Sequence, residues 1–254
     1  MDIVSTLSET LLRQPFSPGR DEPLQLASYQ QAAYWFSRIE NSVAVLSDLK
    51  ADKSYIYNGG VAERLGIGRK GSAQEIASIW EEEIFSRIHP EDLIQKHLLE
   101  LRFFHLLKSL PAGERTDYHI VSKMRMQDNT GEYIPVRHRM FYVGSCPEGH
   151  IWLALCLYDI PYERSNAEGS YGMIINFATG NTLSPDKEKY SDLLSEREKE
   201  ILRFIEKGDA SKAIATQLSI SINTVNRHRQ NILEKLRVRN SLEACRIAKM
   251  MDLL

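Results

Sequence analysis

The chain reads as an α+β protein: an antiparallel sheet with helices comes first and an all-α four-helix domain follows. Three observations support this. Short strand-like stretches lie on either side of a long helical stretch between residues 41 and 160. Turn-forming residues crowd the segment 161–190. Residues 191–254 repeat their apolar side chains at helical spacing, with helix-start and helix-stop residues between the runs. The expected organisation is a helical segment over 1–40, a mixed domain over 41–160, a linker over 161–190 and a helical domain over 191–254.

Composition narrows the class. With 43% hydrophobic and 26% charged residues among 254, the chain has enough apolar content for packed cores and too little bias for disorder. The longest apolar run, Ile151 to Tyr158, is far short of the ~20 residues a helix needs to cross a bilayer. The start, Met1-Asp2-Ile3-Val4-Ser5, lacks the basic and apolar regions of a secretory signal, so a cytoplasmic protein without a membrane partner is expected. Cys146, Cys156 and Cys245 show no CxxC or other metal-ligand spacing, which argues against a disulfide framework and a zinc site, and no metal ligands are assigned. His89, His97 and His105 recur every eight residues. On one helix that places neighbours ~12 Å apart along the axis, too far to share a metal. No Gly-rich phosphate loop, HExxH or GxSxG occurs, so no catalytic residues are assigned and an enzyme is not expected.

Charge is divided unevenly. Residues 191–254 hold 12 Lys and Arg against 9 Asp and Glu, while the residues before them hold 20 against 25. The helical end is therefore the one suited to a polyanion.

That end resolves into four helices. Ser195 and Glu198 form a capping box, so the first helix begins at Ser195 or Glu196; Ile201, Leu202 and Ile205 make its apolar stripe and Gly208 its stop. Ala210 to Leu218 is the second helix, and Ser219-Ile220-Ser221 breaks the pattern. Thr224-Val225 opens the third, which runs to about Leu236. Two short helices joined by three or four residues make a helix-turn-helix. On the third helix Val225, Ile232, Leu233 and Leu236 face inward, while Asn223, Asn226, Arg227 and Gln230 lie opposite. Arginine pairs with guanine and asparagine or glutamine with adenine in the major groove, and these residues sit on the half of the helix that enters it. Lys212, Ser221, Thr224, Arg229 and Lys235 flank them as candidate phosphate contacts. His228 is read as packing under the helix.

Leu194-Ser195-Glu196-Arg197-Glu198, Lys207-Gly208, Ser211-Lys212, Ile214-Ala215, Leu218, Ile220-Ser221, Thr224-Val225, His228, Asn231-Ile232, Lys235-Leu236 and Glu243-Ala244 together resemble the LuxR/NarL/FixJ type of DNA-binding domain. The resemblance implies a transcription regulator that binds double-stranded DNA as a homodimer. It also implies a dimer contact on the last helix, Ser241 to Leu253, with Leu242, Cys245, Ala248 and Met251 among its apolar residues. The sequence departs from the family twice. Ala213 replaces an acidic residue, which puts an internal ion pair in doubt, and Asn226 replaces a lysine, which leaves Arg227 as the main groove-facing cation.

In the first 160 residues an amphipathic helix is expected over Gln30 to Ile39, with Ala33, Phe36 and Ile39 on one face. Strands follow at Val43–Leu49 and Ser54–Tyr57. A helical middle runs from Ile76 to Leu110, broken and restarted at His89-Pro90-Glu91-Asp92-Leu93. Three strands close the unit: one around Tyr118 to Gln127, a hairpin partner from Tyr133 to Val143 after the turn Asp128-Asn129-Thr130-Gly131, and Ile151 to Tyr158, apolar on both faces and hence central. Met173 to Phe177, inside the linker, is strand-like and a candidate to pack back on this unit. The strand order, His89-Pro90-Glu91-Asp92 and the hairpin at Gly131-Glu132-Tyr133 resemble a PAS domain. That implies a sensor for a small-molecule or protein effector, or a dimerisation unit, with any cofactor unknown. A receiver domain is disfavoured by the helix-first order. An autoinducer-binding domain ranks second, because its pocket pattern does not map onto Tyr55, Tyr57, Trp80 and Trp152. An interaction protein with a helix-turn-helix that does not bind DNA is the remaining alternative.

Overall fold

The computed structural model describes residues 3–16, 22–161, 171–183, 194–236, 238, 240–250 and 253–254. The chain divides into two compact units, Glu9–Leu183 and Ser184–Leu254 with Met1–Ser8.

Helices α1 (Ile3–Leu12) and α2 (Glu22–Ile39) precede the sheet. Its strands are β1 (Val43–Asp48), β2 (Lys53–Asn58), β3 (Ala73–Ile76), β4 (Tyr118–Gln127), β5 (Tyr133–Ser145), β6 (Ile151–Asp159), β7 (Tyr171–Asn176) and β8 (Thr182–Leu183). They form one antiparallel sheet in the order β3-β2-β1-β6-β5-β4-β7-β8. Between β2 and β4 lie α3 (Gly60–Leu65), α4 (Glu82–Phe85), α5 (Pro90–Lys108) and a 3₁₀ turn at Ala112–Asp117. As expected from its apolar run, β6 is central and buried at every position. On one face of the sheet Ala33 of α2 packs with Ala44, Leu46, Trp152, Leu153, Leu155 and Leu157. Side chains alternate across a strand, so Cys156 and Tyr158 of β6 turn to the other face, with α5.

Specific contacts set the chain's path. Gln14 exchanges hydrogen bonds with the backbone of Ile151, donating from Nε2 and accepting at Oε1, and so pairs β6 at its start. A Cβ on Gly59 would lie 2.4 Å from the backbone carbon of Asn41, so only glycine allows the turn from β2 into α3. Asp92, in the first turn of α5, accepts from the backbone nitrogen, Nε and Nη2 of Arg125 at 2.7, 3.0 and 2.6 Å, which ties the helix start to β4. Pro135 sits beyond the β5–β6 ladder, whose pairing starts at Arg137, so its missing N–H costs no bond.

Three expectations are corrected. First, α2 begins at Glu22, not near Gln30, and its buried residues are Ala33 and Ser37; Phe36 and Ile39 are exposed, the latter at 79%. Second, Ile76 ends the edge strand β3 instead of opening a helix, because its backbone pairs with Ser54. Third, residues 171–183 belong to the sheet, with β7 laid along β4 from Tyr118↔Asn176 to Lys123↔Tyr171. The segment at Met173 thus does pack back on this unit, and the linker readings at 162–170 and 184–190 fall outside the described residues.

The second unit contains α6 (Glu196–Glu206), α7 (Ser211–Gln217), α8 (Ile222–Leu236) and α9 (Ser241–Met250). Ser195 caps α6 with the full capping box, and Gly208 holds φ +89° just after it. The third helix starts at Ile222, earlier than Thr224, because Ser221 Oγ accepts from the Thr224 amide at 3.0 Å and caps it. Ile201, Leu202, Ile214, Ala215, Val225, Ile232 and Leu236 form the core.

Candidate functional site

The exposed surface of α8 carries Asn223, Asn226, Arg227 and Gln230, with Lys212 of α7 also exposed. Val225, Ile232 and Leu236 are buried on the opposite side, so the polar set is held outward by the packing of the apolar one. Among the described residues no acidic side chain pairs with Arg227 or Lys212. Ser221 and Thr224 share a hydroxyl–hydroxyl bond of 2.8 Å at the start of α8 and are engaged in capping it. Asn226, Arg229, Gln230, Leu233, Glu234 and Val238 line an open groove of ≈ 360 Å³ along the helix.

Other residues expected at the DNA surface are committed inside the unit. Lys235 Nζ donates to Glu198 Oε2 at 2.7 Å. That carboxylate also accepts from the amide and hydroxyl of Ser195, so one oxygen joins the start of α6 to the end of α8. Burial pushes the Glu198 carboxyl up, but Lys235 and the two Ser195 bonds outweigh it and the net displacement is downward. Ala213 offers no carboxylate, and the ion pair inside this unit that joins α6 to α8 is the separate one between Glu198 and Lys235. Arg229 reaches Ser211 Oγ at 3.3 Å and Ser241 Oγ at 3.0 Å, holding α7 and α9 to α8. His228 is half-buried, in line with packing.

Lys235→Ala is therefore expected to lower the melting temperature of the C-terminal unit while leaving the slope of log affinity against log salt unchanged. A slope shallower by about 0.9 would return this lysine to a phosphate.

Of the expected dimer contacts on α9, Leu242 is 67% exposed, whereas Cys245 and Ala248 are buried. Cys245 Sγ donates to the Leu202 carbonyl at 3.8 Å, so this side of α9 closes the unit's own core and is not open to a second copy. Met251 lies outside the described residues.

The first unit holds a second constellation, absent from any local motif. Ser47 of β1 and Ser54 of β2 donate to Glu81 Oε1 at 3.2 and 3.0 Å. Lys96 Nζ donates to Glu100 Oε1 at 2.6 Å within α5. His138 of β5 lies opposite Tyr158 of β6, and its Nδ1 is 3.2 Å from Ser122 Oγ on β4. All of these groups are buried. Burial drives the His138 pKa well down, reinforced by the charges of Lys96 and Arg139, and drives the Cys156 thiol well up. The histidines at 89 and 97 have separate surroundings: His89 packs at a tilt against Tyr133 while His97 packs against Trp80 and Phe85. Tyr55, Tyr57 and Trp152 pack in the α2 cluster, apart from Trp80, so these four aromatics do not line one pocket.

Glu81 is pushed from 4.5 to about 6 by burial, against the opposing pull of Lys96 and Ser54. Between those values the folded state binds more protons than the unfolded one. Stability therefore falls as pH rises through this window, and above about 6 the full cost of roughly 2 kcal/mol is present. In chelator-treated protein, Glu81→Gln is expected to raise stability at pH 7 by up to that amount and to change nothing below pH 4.5, as read by urea unfolding at both values. A loss of stability at pH 7 would mean that Glu81 is held ionised by its neighbours.

Two short helices with an outward polar face on the second define a helix-turn-helix DNA-binding domain. Residues 192–248 match the family model for bacterial regulatory proteins, luxR family, and the C-terminal unit is a domain of that family. The chain is 43% identical over 68 residues to the uncharacterized transcriptional regulatory protein YhcZ of Bacillus subtilis, which covers 27% of this chain and 31% of the relative. It is 42% identical over 62 residues to the transcriptional regulatory protein DesR of the same organism, covering 24% and 31%. The chain thus spans about a third of the length of these relatives. Among solved structures, the phage VqmA–DPO complex aligns over 88% of this chain and 87% of its own, at 14% identity and a TM-score of 0.30.

Proposed function

We propose that the chain is a cytoplasmic transcription regulator and not an enzyme, binding double-stranded DNA through α8 as a homodimer. The observation that carries this reading is the exposed set Asn223, Asn226, Arg227 and Gln230 on the second helix of the helix-turn-helix, with Arg227 and Lys212 unpaired among the described residues. Arg227 supplies a bidentate guanine contact, the amides read adenine, and Lys212 together with the capped start of α8 positions the backbone. No helix among the described residues is long and apolar enough to cross a membrane.

The sheet-bearing unit is the input or dimerisation domain. Its inner strand order, β2-β1-β6-β5-β4, with helices inserted between β2 and β4, supports a PAS-like reading. The second copy is accommodated by Leu242 on α9 and by Leu24, Trp35, Phe36 and Ile39 on α2, all exposed. Selection of duplexes from a random library by the full-length protein tests this. Two half-sites related by inversion, bound with a steep loss of affinity in salt, are expected. Absence of salt-dependent binding overturns the DNA-binding reading, and tight binding of a monomer to one half-site overturns the dimer.

A further inference from the structure

We propose that Glu100, His138 and Cys156 form a site for one divalent transition-metal ion of the zinc class inside the first unit. One ligand atom from each residue lies within 4.8 Å of the other two, and all three side chains are buried. Zinc–nitrogen bonds of about 2.0–2.1 Å and zinc–sulfur bonds of about 2.3 Å place tetrahedral ligands within about 4 Å of one another, so closing onto an ion needs side-chain shifts of under about 1 Å. Donors this close leave space between them for a single ion, not an organic molecule.

A second observation points the same way. His138 Nε2 has no hydrogen-bond partner among the described residues, and neither have the hydroxyls of Tyr142 and Tyr158. Leaving a buried polar group unsatisfied is costly, so His138 Nε2 calls for a partner that the described residues do not supply. In the tautomer with hydrogen on Nδ1, His138 donates to Ser122 Oγ and presents the Nε2 lone pair. This is how a metal-binding imidazole is ordinarily held from behind. The Tyr158 ring packs against the His138 ring with centroids 4.8 Å apart, bringing its hydroxyl-bearing ring beside the site.

The donor chemistry selects the ion. A thiolate, an imidazole and a carboxylate suit zinc, cobalt or nickel, and the thiolate disfavours calcium and magnesium. Glu100 and a deprotonated Cys156 neutralise the dication, the thiol proton passing to solvent on binding. Lys96 occupies Glu100 Oε1, leaving Oε2 for the ion, and its charge is balanced by Glu81. The three ligands come from α5, β5 and β6, so no ligand spacing in the sequence announces them. The site goes beyond the regulatory reading and does not depend on DNA binding.

Tag-free full-length protein is stripped with a chelator and titrated with Co²⁺, then with Zn²⁺. One equivalent of Co²⁺ per chain is expected, with a thiolate-to-cobalt charge-transfer band that Zn²⁺ abolishes. Cys156→Ser should remove the band, and His138→Gln should weaken binding at least tenfold. Ser122→Ala, which leaves all three ligands in place and removes only the hydrogen bond behind His138, should weaken it about 10–100-fold. Cys146→Ser and Cys245→Ser, with circular dichroism as a check on folding, should bind as the unsubstituted chain does. Absence of stoichiometric binding overturns the proposal, as does a cobalt spectrum indifferent to Cys156→Ser. An organic molecule retained in the native mass spectrum and lost on His138→Gln also overturns it. Loss of DNA binding alone leaves these readings unmoved.

Discussion

Arg227→Ala is expected to weaken binding to the best selected duplex by about 1–3 kcal/mol, roughly fivefold to more than a hundredfold, and to relax the preference at one base position. The side chain is exposed on α8 and unpaired among the described residues, so its removal disturbs no packing and the melting temperature should hold. Fluorescence anisotropy on duplexes that vary one position at a time separates base reading from phosphate contact. A uniform loss on all of them would assign Arg227 to the backbone.

Ile232→Ala acts through the opposite face of the same helix. Ile232 is 1% exposed and lies in the core that seats α8 against α6 and α7. Shortening a buried isoleucine to alanine costs about 2–5 kcal/mol through lost transfer energy and the cavity left behind. That is a large share of the stability of so small a unit. The unfolding transition of the C-terminal unit should move to lower denaturant. Where the folded fraction drops, affinity should fall by the same factor on every DNA sequence, because only folded domains bind. A loss under about 1 kcal/mol would mean that α8 is not seated by this residue. The contrast between a sequence-dependent loss at 227 and a sequence-independent one at 232 tests the assignment of the two faces.

Much of the fold was legible because its signals are local. Ser195 and Glu198 announce the start of α6 through a capping box that spans four residues, and Gly208 announces its end. The apolar run Ile151 to Tyr158 marks the central strand, since burial on both faces removes alternation. Reading failed where a neighbour distant in the chain decided the outcome. The apolar residues Phe36 and Ile39 look like a core face of α2, yet the sheet receives Ala33 and Ser37, whose small side chains allow close approach. Ile76 pairs with Ser54 on β2, a partner that helical periodicity does not report.

The residues proposed to face DNA divide in the same way. Sequence alone determined the helix-turn-helix and placed Asn223, Asn226, Arg227 and Gln230 on its outward face, because 3.6-residue periodicity and capping lie within a few residues of one another. Tertiary structure alone decided which polar and small side chains are consumed within the chain: Lys235 by Glu198, Arg229 by two serines, and Cys245 and Ala248 by the packing of α9. It alone brought Glu100, His138 and Cys156 together from a helix and two strands. Such pairings are made across space between elements whose own patterns satisfy only their backbone and their apolar face, so nothing in the order of residues marks them in advance.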